Sequence, residues 1–233
     1  MSYALVVAEV RRGLFEERNL DTLGLSNLCG LESVLLVPDG AAPFNEKLAG
    51  TIVRAKVDET TFLNPLSMVN IVKKVMDERG KPDAILFTSS SSGIELASYL
   101  AGSLGLPILT DVSGFDAERS VFYKSYYSDK IFGEFKPREG TFVVTVRSGS
   151  FKDNAAEEDK AAVTVVVDGI APAEGRSFIE YVEEEKGAID ITKADFLLSV
   201  GRGIGNKDEI PDYEELAERA GRKNKQPSIE QQK

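Results

Sequence analysis

Five short apolar runs, separated by helix-length stretches, constrain the fold of this chain more than any other feature. They are Tyr3–Val10 (YALVVAEV), Ser33–Val37 (SVLLV), Thr51–Val57, Ala84–Phe87 (AILF) and Ile108–Val112. Continuous runs of Val, Leu and Ile at this length read as strands covered on both faces, which is the pattern of a parallel sheet. The stretches between them carry helical signals. Asn19–Cys29 places Leu at 20, 23, 25 and 28, with Gly30 at the C-cap position. Pro65–Arg79 opens on proline, gathers Met68, Val69, Ile71, Val72, Val75 and Met76 on one side, and stops at Gly80. Residues 43–49 read as a short helix and Ile94–Leu104 as a longer one. Parallel strands need crossover connections, so the sequence predicts an α/β fold with an open, mainly parallel sheet flanked by helices.

From about residue 113 the texture changes. Val121–Tyr127, Thr141–Arg147 and Val163–Asp168 are alternating or aromatic, and read as strands of an antiparallel β annex to that sheet. Lys152–Lys160 is highly charged and reads as a solvated loop, while Ser177–Glu185 reads as a strand that ends in acid. Gly187–Lys193 has the composition of a linker. Beyond it, Ala194–Val200 (ADFLLSV) reads as a buried strand, Gly201–Gly205 as a glycine loop and Asp212–Ala220 as a helix. Three regions are therefore expected: an N-terminal α/β domain over 1–190, the start of a second α/β domain over 191–220, and a polar tail over 221–233 whose composition predicts disorder.

Composition removes whole classes of function. The chain has no histidine, which excludes Ser-His-Asp and Cys-His nucleophile systems and every His-ligated metal site. A formal net charge of −10 argues against a nucleic-acid partner, because phosphate backbones are met by clustered Lys and Arg. The apolar runs are strand-sized and far short of a bilayer crossing, so no membrane insertion is expected. The start Met1-Ser2-Tyr3 enters a strand at once and is read as carrying no signal peptide. A single cysteine, Cys29, excludes an internal disulfide and fits a reducing, cytoplasmic setting. It is read as a small buried apolar residue.

Few segments remain that could carry chemistry. A strand, then Gly201-Arg202-Gly203, then a helix is a layout in which backbone N–H groups and a helix N-terminus receive a phosphate or a cofactor edge. Asn206 stands where the dinucleotide fingerprint has its third glycine, so on spacing alone a plain strand-to-helix turn with a solvated arginine is preferred over the ligand reading. Ser89–Ser92 before Gly93 lies at the carboxyl end of a strand; with no Lys or Arg alongside, helix capping is the reading preferred over ligand binding. Asp111 shows no partner in the sequence and is read as structural. The acidic clusters Glu157-Glu158-Asp159 and Glu183-Glu184-Glu185 are read as solvated surface, and no metal site is expected. Tyr123, Tyr126 and Tyr127 are read as core or subunit interface before a stacking platform.

Taken together, several segments resemble the alpha subunit of electron transfer flavoproteins. They are YALVVAEV, SVLLVPDG, KPDAILFTSSSSGIELASYLAGSLGLPILTDV, TFVVTVRSGSF and ADFLLSVGRGIG, in that order, and the likeness runs over residues 3–218. The resemblance implies an electron carrier subunit and not an enzyme with its own substrate. It also implies a heterodimer with a beta subunit, with FAD relaying electrons from dehydrogenase donors to a redox acceptor. Arg202 of the Gly-Arg-Gly turn matches a FAD-contacting arginine of the family, with Gly201 and Gly203 shaping the turn. The family's later flavin segments (Ala-Ser-Arg, Gly-Gln-Thr-Gly and Gly-Ile-Ser-Gly-Ala) are missing, and GRKNKQPSIEQQK follows the last matching helix. A C-terminally truncated FAD domain is the expectation, with weak or no FAD binding by these residues alone. The alternative is a nucleotide-binding or regulatory α/β module without flavin, using Ser89–Gly93 for an adenine nucleotide.

Overall fold

In the computed structural model, residues 2–156, 162–170, 178–182, 196–221 and 227–231 are described. The chain divides into two compact units, Met1–Phe178 and Ile179–Lys233.

The first unit is built on a nine-stranded sheet and a separate two-stranded ribbon. In chain order the strands are β1 (Tyr3–Val7), β2 (Val10–Arg11), β3 (Leu14–Phe15), β4 (Glu32–Pro38), β5 (Thr51–Ala55), β6 (Ala84–Thr88), β7 (Ile108–Asp116), β8 (Val121–Tyr126), β9 (Ile131–Phe135), β10 (Phe142–Val146) and β11 (Val163–Val167). The helices are α1 (Asn19–Leu28), α2 (Glu59–Phe62), α3 (Pro65–Arg79) and α4 (Ser91–Leu104). The main sheet runs β11-β5-β4-β1-β6-β10-β7-β8-β9, and β2 pairs with β3 as a separate antiparallel ribbon. Every pairing from β11 to β7 is parallel, while β7-β8 and β8-β9 are antiparallel.

Side-chain alternation splits the core into two layers. Leu5, Val7, Val34, Leu36, Val53, Ile85, Phe87 and Val143 face Met68, Val72 and Val75 of α3 and Leu96 and Leu100 of α4. The intervening residues Ala4, Val6, Leu35, Val37, Ile52, Leu86 and Val144 face Leu23 and Leu25 of α1, together with Phe122 and Phe151. Each buried Leu, Ile or Phe contributes about 1.5–3 kcal/mol, so the doubly covered strands supply most of the driving force. The helix ends obey local rules. Asn64 accepts from the Leu66 N–H at 3.0 Å before Pro65 opens α3. Gly105, with φ 64°, closes α4 in the left-handed conformation.

Two strands expected in the antiparallel annex belong to the parallel sheet. Phe142–Val146 lies between β6 and β7 and is parallel to both. Val163–Val167 forms the parallel edge beside β5. Val143, Val144 and Thr145 are fully buried, as a strand inserted between two others must be. The antiparallel part comprises the end of β7, β8 and β9, the last of which the sequence reading omits. The parallel pairing of β7 with β10 ends at Val112, and its antiparallel pairing with β8 shifts register between Val112 and Gly114, next to Asp111 with φ 60°.

The charged stretch after Val146 is anchored to α1. The buried Asp21 carboxylate accepts from the backbone N–H groups of Gly149 (3.0 Å) and Phe151 (2.7 Å). Phe151 is buried, and Lys152–Asn154 form a 3₁₀ turn. Gly24 permits this approach, because a Cβ there would stand 2.0 Å from the Phe151 carbonyl oxygen.

In the second unit β12 (Phe196–Val200) pairs in parallel with β13 (Pro227–Gln231), and α5 (Ile210–Gly221) lies between them in the chain. β12 is half exposed where a buried strand is expected; Leu197 is 44% exposed, since a two-stranded sheet covers little. Residues 227–231, expected within a disordered tail, form β13. The strand expected from Ser177 is absent at 178–182, where Ile179 and Val182 are exposed. The linker at Gly187–Lys193 lies outside the described residues, as do both acidic triplets.

Candidate functional site

In an open parallel sheet, ligands gather outside the carboxyl ends of the strands where the strand order reverses. Here that point lies between β1 and β6, because the chain proceeds from β1 outward to β4 and β5 and then returns to β6 on the other side. The residues that end these two strands meet there. Glu9 is 4% exposed, and its Oε2 accepts from the Thr88 hydroxyl. Arg11 and Arg18 approach the carboxylate at 3.7 and 3.9 Å, while Oε1 has no hydrogen-bond partner among the described residues. Its backbone is clamped by Asn19, whose side chain both donates to and accepts from Glu9 at 2.8 Å. The sequence reading counts Glu9 only as part of a strand; an acid inside an otherwise apolar run is the available signal.

The serine cluster beside it is structural. Ser90 Oγ accepts from the Gly93 N–H at 3.0 Å and caps α4. Ser89 donates to Asp111 at 3.2 Å and lies 3.3 Å from the Thr145 hydroxyl. A Cβ at Gly93 would stand 2.0 Å from the Thr88 carbonyl oxygen, so the first turn of α4 presses directly on the end of β6. The cavity lined by Glu9, Thr88, Ser92 and Gly93 has a volume of about 10 Å³. That is room for one water and no nucleotide.

Asp111, read as partnerless, is held by Arg147 of the Thr-Val-Arg segment. The guanidinium donates to Asp111 Oδ2 at 2.6 Å and Oδ1 at 3.2 Å, to Ser125 Oγ at 2.7 Å and to Asp129 Oδ1 at 3.1 Å. These bonds tie the middle of β7 and the carboxyl end of β10 to β8 and the β8–β9 turn. In that turn Tyr127, Ser128 and Asp129 all have left-handed backbone conformations, with φ between 52° and 63°. Hydrogen bonds from Arg147 depress the Asp111 carboxyl below its ordinary value, and Ser125 and Arg147 do the same for Asp129. A paired, ionised carboxylate is an anchor and not a proton acceptor, so the network positions the turn.

The Tyr123 hydroxyl accepts from Arg119 at 3.2 Å, whereas Tyr126 and Tyr127 are exposed. Cys29 is half-buried, and burial pushes its thiol up to about 12, far from a reactive thiolate. No group of three or more His, Cys, Asp or Glu side chains that could hold a metal occurs among the described residues. Among them, too, no helix is long and apolar enough to cross a membrane.

In the second unit, β12 leads into Gly201 and the 3₁₀ turn Arg202–Ile204. A second turn, Lys207–Glu209, then opens α5. Gly205, with φ 77°, needs to be glycine for its backbone. Gly201 and Gly203 do not: their φ angles are unexceptional, and a Cβ at either position meets nothing within 4 Å. Among the described residues, nothing is packed against either glycine.

The fold thus defines a class: a doubly covered parallel α/β domain with a filled switch-point crevice, joined to a small unit that presents a glycine-arginine turn. The model of the electron transfer flavoprotein domain matches residues 39–170. The electron transfer flavoprotein subunit alpha of Methylophilus methylotrophus is 28% identical over 246 aligned residues, which span 95% of this chain and 72% of that protein. The corresponding subunit of Mycobacterium leprae is 27% identical, over 95% of this chain and 71% of that protein. Protein FixB of Escherichia coli O7:K1 is 24% identical over 65% of this chain and 49% of its own length. The chain belongs to the electron transfer flavoprotein family, and its relatives group it with the alpha subunits.

Proposed function

We propose that this chain works as an electron transfer flavoprotein alpha subunit in the cytoplasm. It pairs with a beta subunit and carries electrons from dehydrogenases to a redox acceptor, without a catalytic reaction of its own. The observation that carries this reading is alignment with named alpha subunits over 95% of the chain. Residues 1–190 act as the scaffold for the beta subunit, and residues 191–220 as the flavin-facing unit.

FAD would supply the one-electron chemistry when bound. Gly201, Arg202 and Gly203 fit one edge of such a group, since glycines with open space above them admit close backbone approach and an arginine suits an anionic edge. They do not fit the whole of it. A two-stranded sheet and one helix do not enclose a dinucleotide, which needs contacts along its length. The rest of such a cradle is not present among the described residues. The adenine-nucleotide alternative loses support from the 10 Å³ crevice and the occupied serine cap.

The visible spectrum and a thermal-shift screen test this reading. The isolated protein should purify colourless and gain no stability from AMP or ATP; stoichiometric yellow absorbance on the monomer would overturn the partial cradle. A shift with AMP or ATP alone would support the rival module instead.

A further inference from the structure

Outside the strand ends already described, the first unit has an apolar pocket of about 250 Å³. Its floor is the amino-terminal halves of β7 and β10, which pair in register as Val143 with Ile108 and Val144 with Leu109. Phe122 and Phe135, directly opposite each other on β8 and β9, form one wall. Phe142 completes the lining, edge-on to Phe122 with ring centroids 5.7 Å apart.

The rim breaks the apolar pattern. Lys136-Pro137-Arg138 follows β9 directly and lines the pocket, with Lys136 and Arg138 both exposed. Neither forms an ion pair within 4 Å among the described residues, whereas the neighbouring Glu134 is already taken by Arg119 at 2.6 Å. In a chain of net charge −10, two uncompensated cations at the mouth of an aromatic pocket select one ligand chemistry.

We propose that this pocket binds a small amphipathic carboxylate, with its alkyl or aryl body among Phe122, Phe135 and Phe142 and its anionic head at Lys136 and Arg138. The volume lies below the range of drug-sized sites, which limits the body to roughly ten non-hydrogen atoms. The apolar body is removed from water by the aromatic walls, and the head remains at the surface, where two cations attract it without the penalty of burying a charge. This inference stands independently of the electron-transfer reading.

Octanoate is a suitable probe, with 1-octanol as the uncharged control. Isothermal titration of the full chain should show saturable octanoate binding with a dissociation constant on the order of 0.1–1 mM. Octanol should bind at least tenfold more weakly. The double substitution Lys136→Gln/Arg138→Gln, on two exposed residues, should weaken octanoate at least tenfold and leave the melting temperature unchanged. Ile108→Trp at the exposed edge of the floor should block both ligands, and the cation variant keeps the test decisive if that protein does not fold. No saturable binding up to about 5 mM, equal affinity for octanol, or an unchanged double variant would overturn the proposal. So would beta-subunit binding that the double variant weakens while octanoate never binds, since the cations would then serve a protein partner.

Discussion

Arg147→Met removes the guanidinium that ties β7, β10 and the β8–β9 turn together, while keeping most of the side-chain volume. Four hydrogen bonds are lost: two to Asp111, one to Ser125 and one to Asp129. Bonds to charged groups contribute about 1.5–3 kcal/mol when buried. Here both partners of the main pair are about one-third exposed, so solvent screening reduces the Asp111 clamp to about 1 kcal/mol. Ser125 is 8% exposed, and its lost bond adds about 1 kcal/mol; the exposed Asp129 arm adds little. The total is about 2 kcal/mol, or a melting point lower by about 5 °C in a unit of this size. The pH dependence carries a sign. Asp111 has a depressed folded pKa, so its contribution is fully present above the unfolded value near 3.8 and is lost as pH falls through the lower folded value. Urea denaturation followed by tyrosine near-ultraviolet circular dichroism should give a gap of about 2 kcal/mol at pH 7. The gap should narrow toward the Ser125 share as pH drops below about 4. A gap under about 0.5 kcal/mol at pH 7, or one that widens in acid, would refute the reasoning.

Three further outcomes follow from packing and burial. Gly93→Ala should destabilise by about 3 kcal/mol, since its Cβ would stand 2.0 Å from the Thr88 carbonyl oxygen and 2.9 Å from its hydroxyl; thermal melting checks this. Gly201→Ala and Gly203→Ala should leave the melting point within about 1 °C, because each new methyl enters open space. In a beta-subunit complex the same substitutions should lower flavin content, read by absorbance. Cys29 should resist a thiol reagent in the native protein at pH 8 and react at the rate of a free thiol in urea, because burial holds it far above that pH.

Five of the seven parallel strands were legible because they are strand-length apolar runs, as in Ala84–Phe87, and the helices carry local end signals such as Pro65 and Gly80. Strand order was not. Nothing in Phe142–Val146 records that it inserts between β6 and β7, because adjacency in a sheet is decided by the whole chain. The capping role of the serines was readable from residue type and position. Arg147 as the partner of Asp111 was not, since 36 residues separate the two and only the fold brings them within 2.6 Å. The glycine turn could be found by its spacing, yet only the structure shows that Gly201 and Gly203 face open space while Gly205 serves its own backbone.

Mixing the purified chain with an electron transfer flavoprotein beta subunit, and measuring the mass by light scattering after size exclusion, tests the proposed role most directly. A stable one-to-one heterodimer is the expected result, with the β8–β9 turn and the parallel core unchanged in circular dichroism. Two separate monomer peaks at concentrations of about 50 µM, weak even for a transient pair, would contradict it.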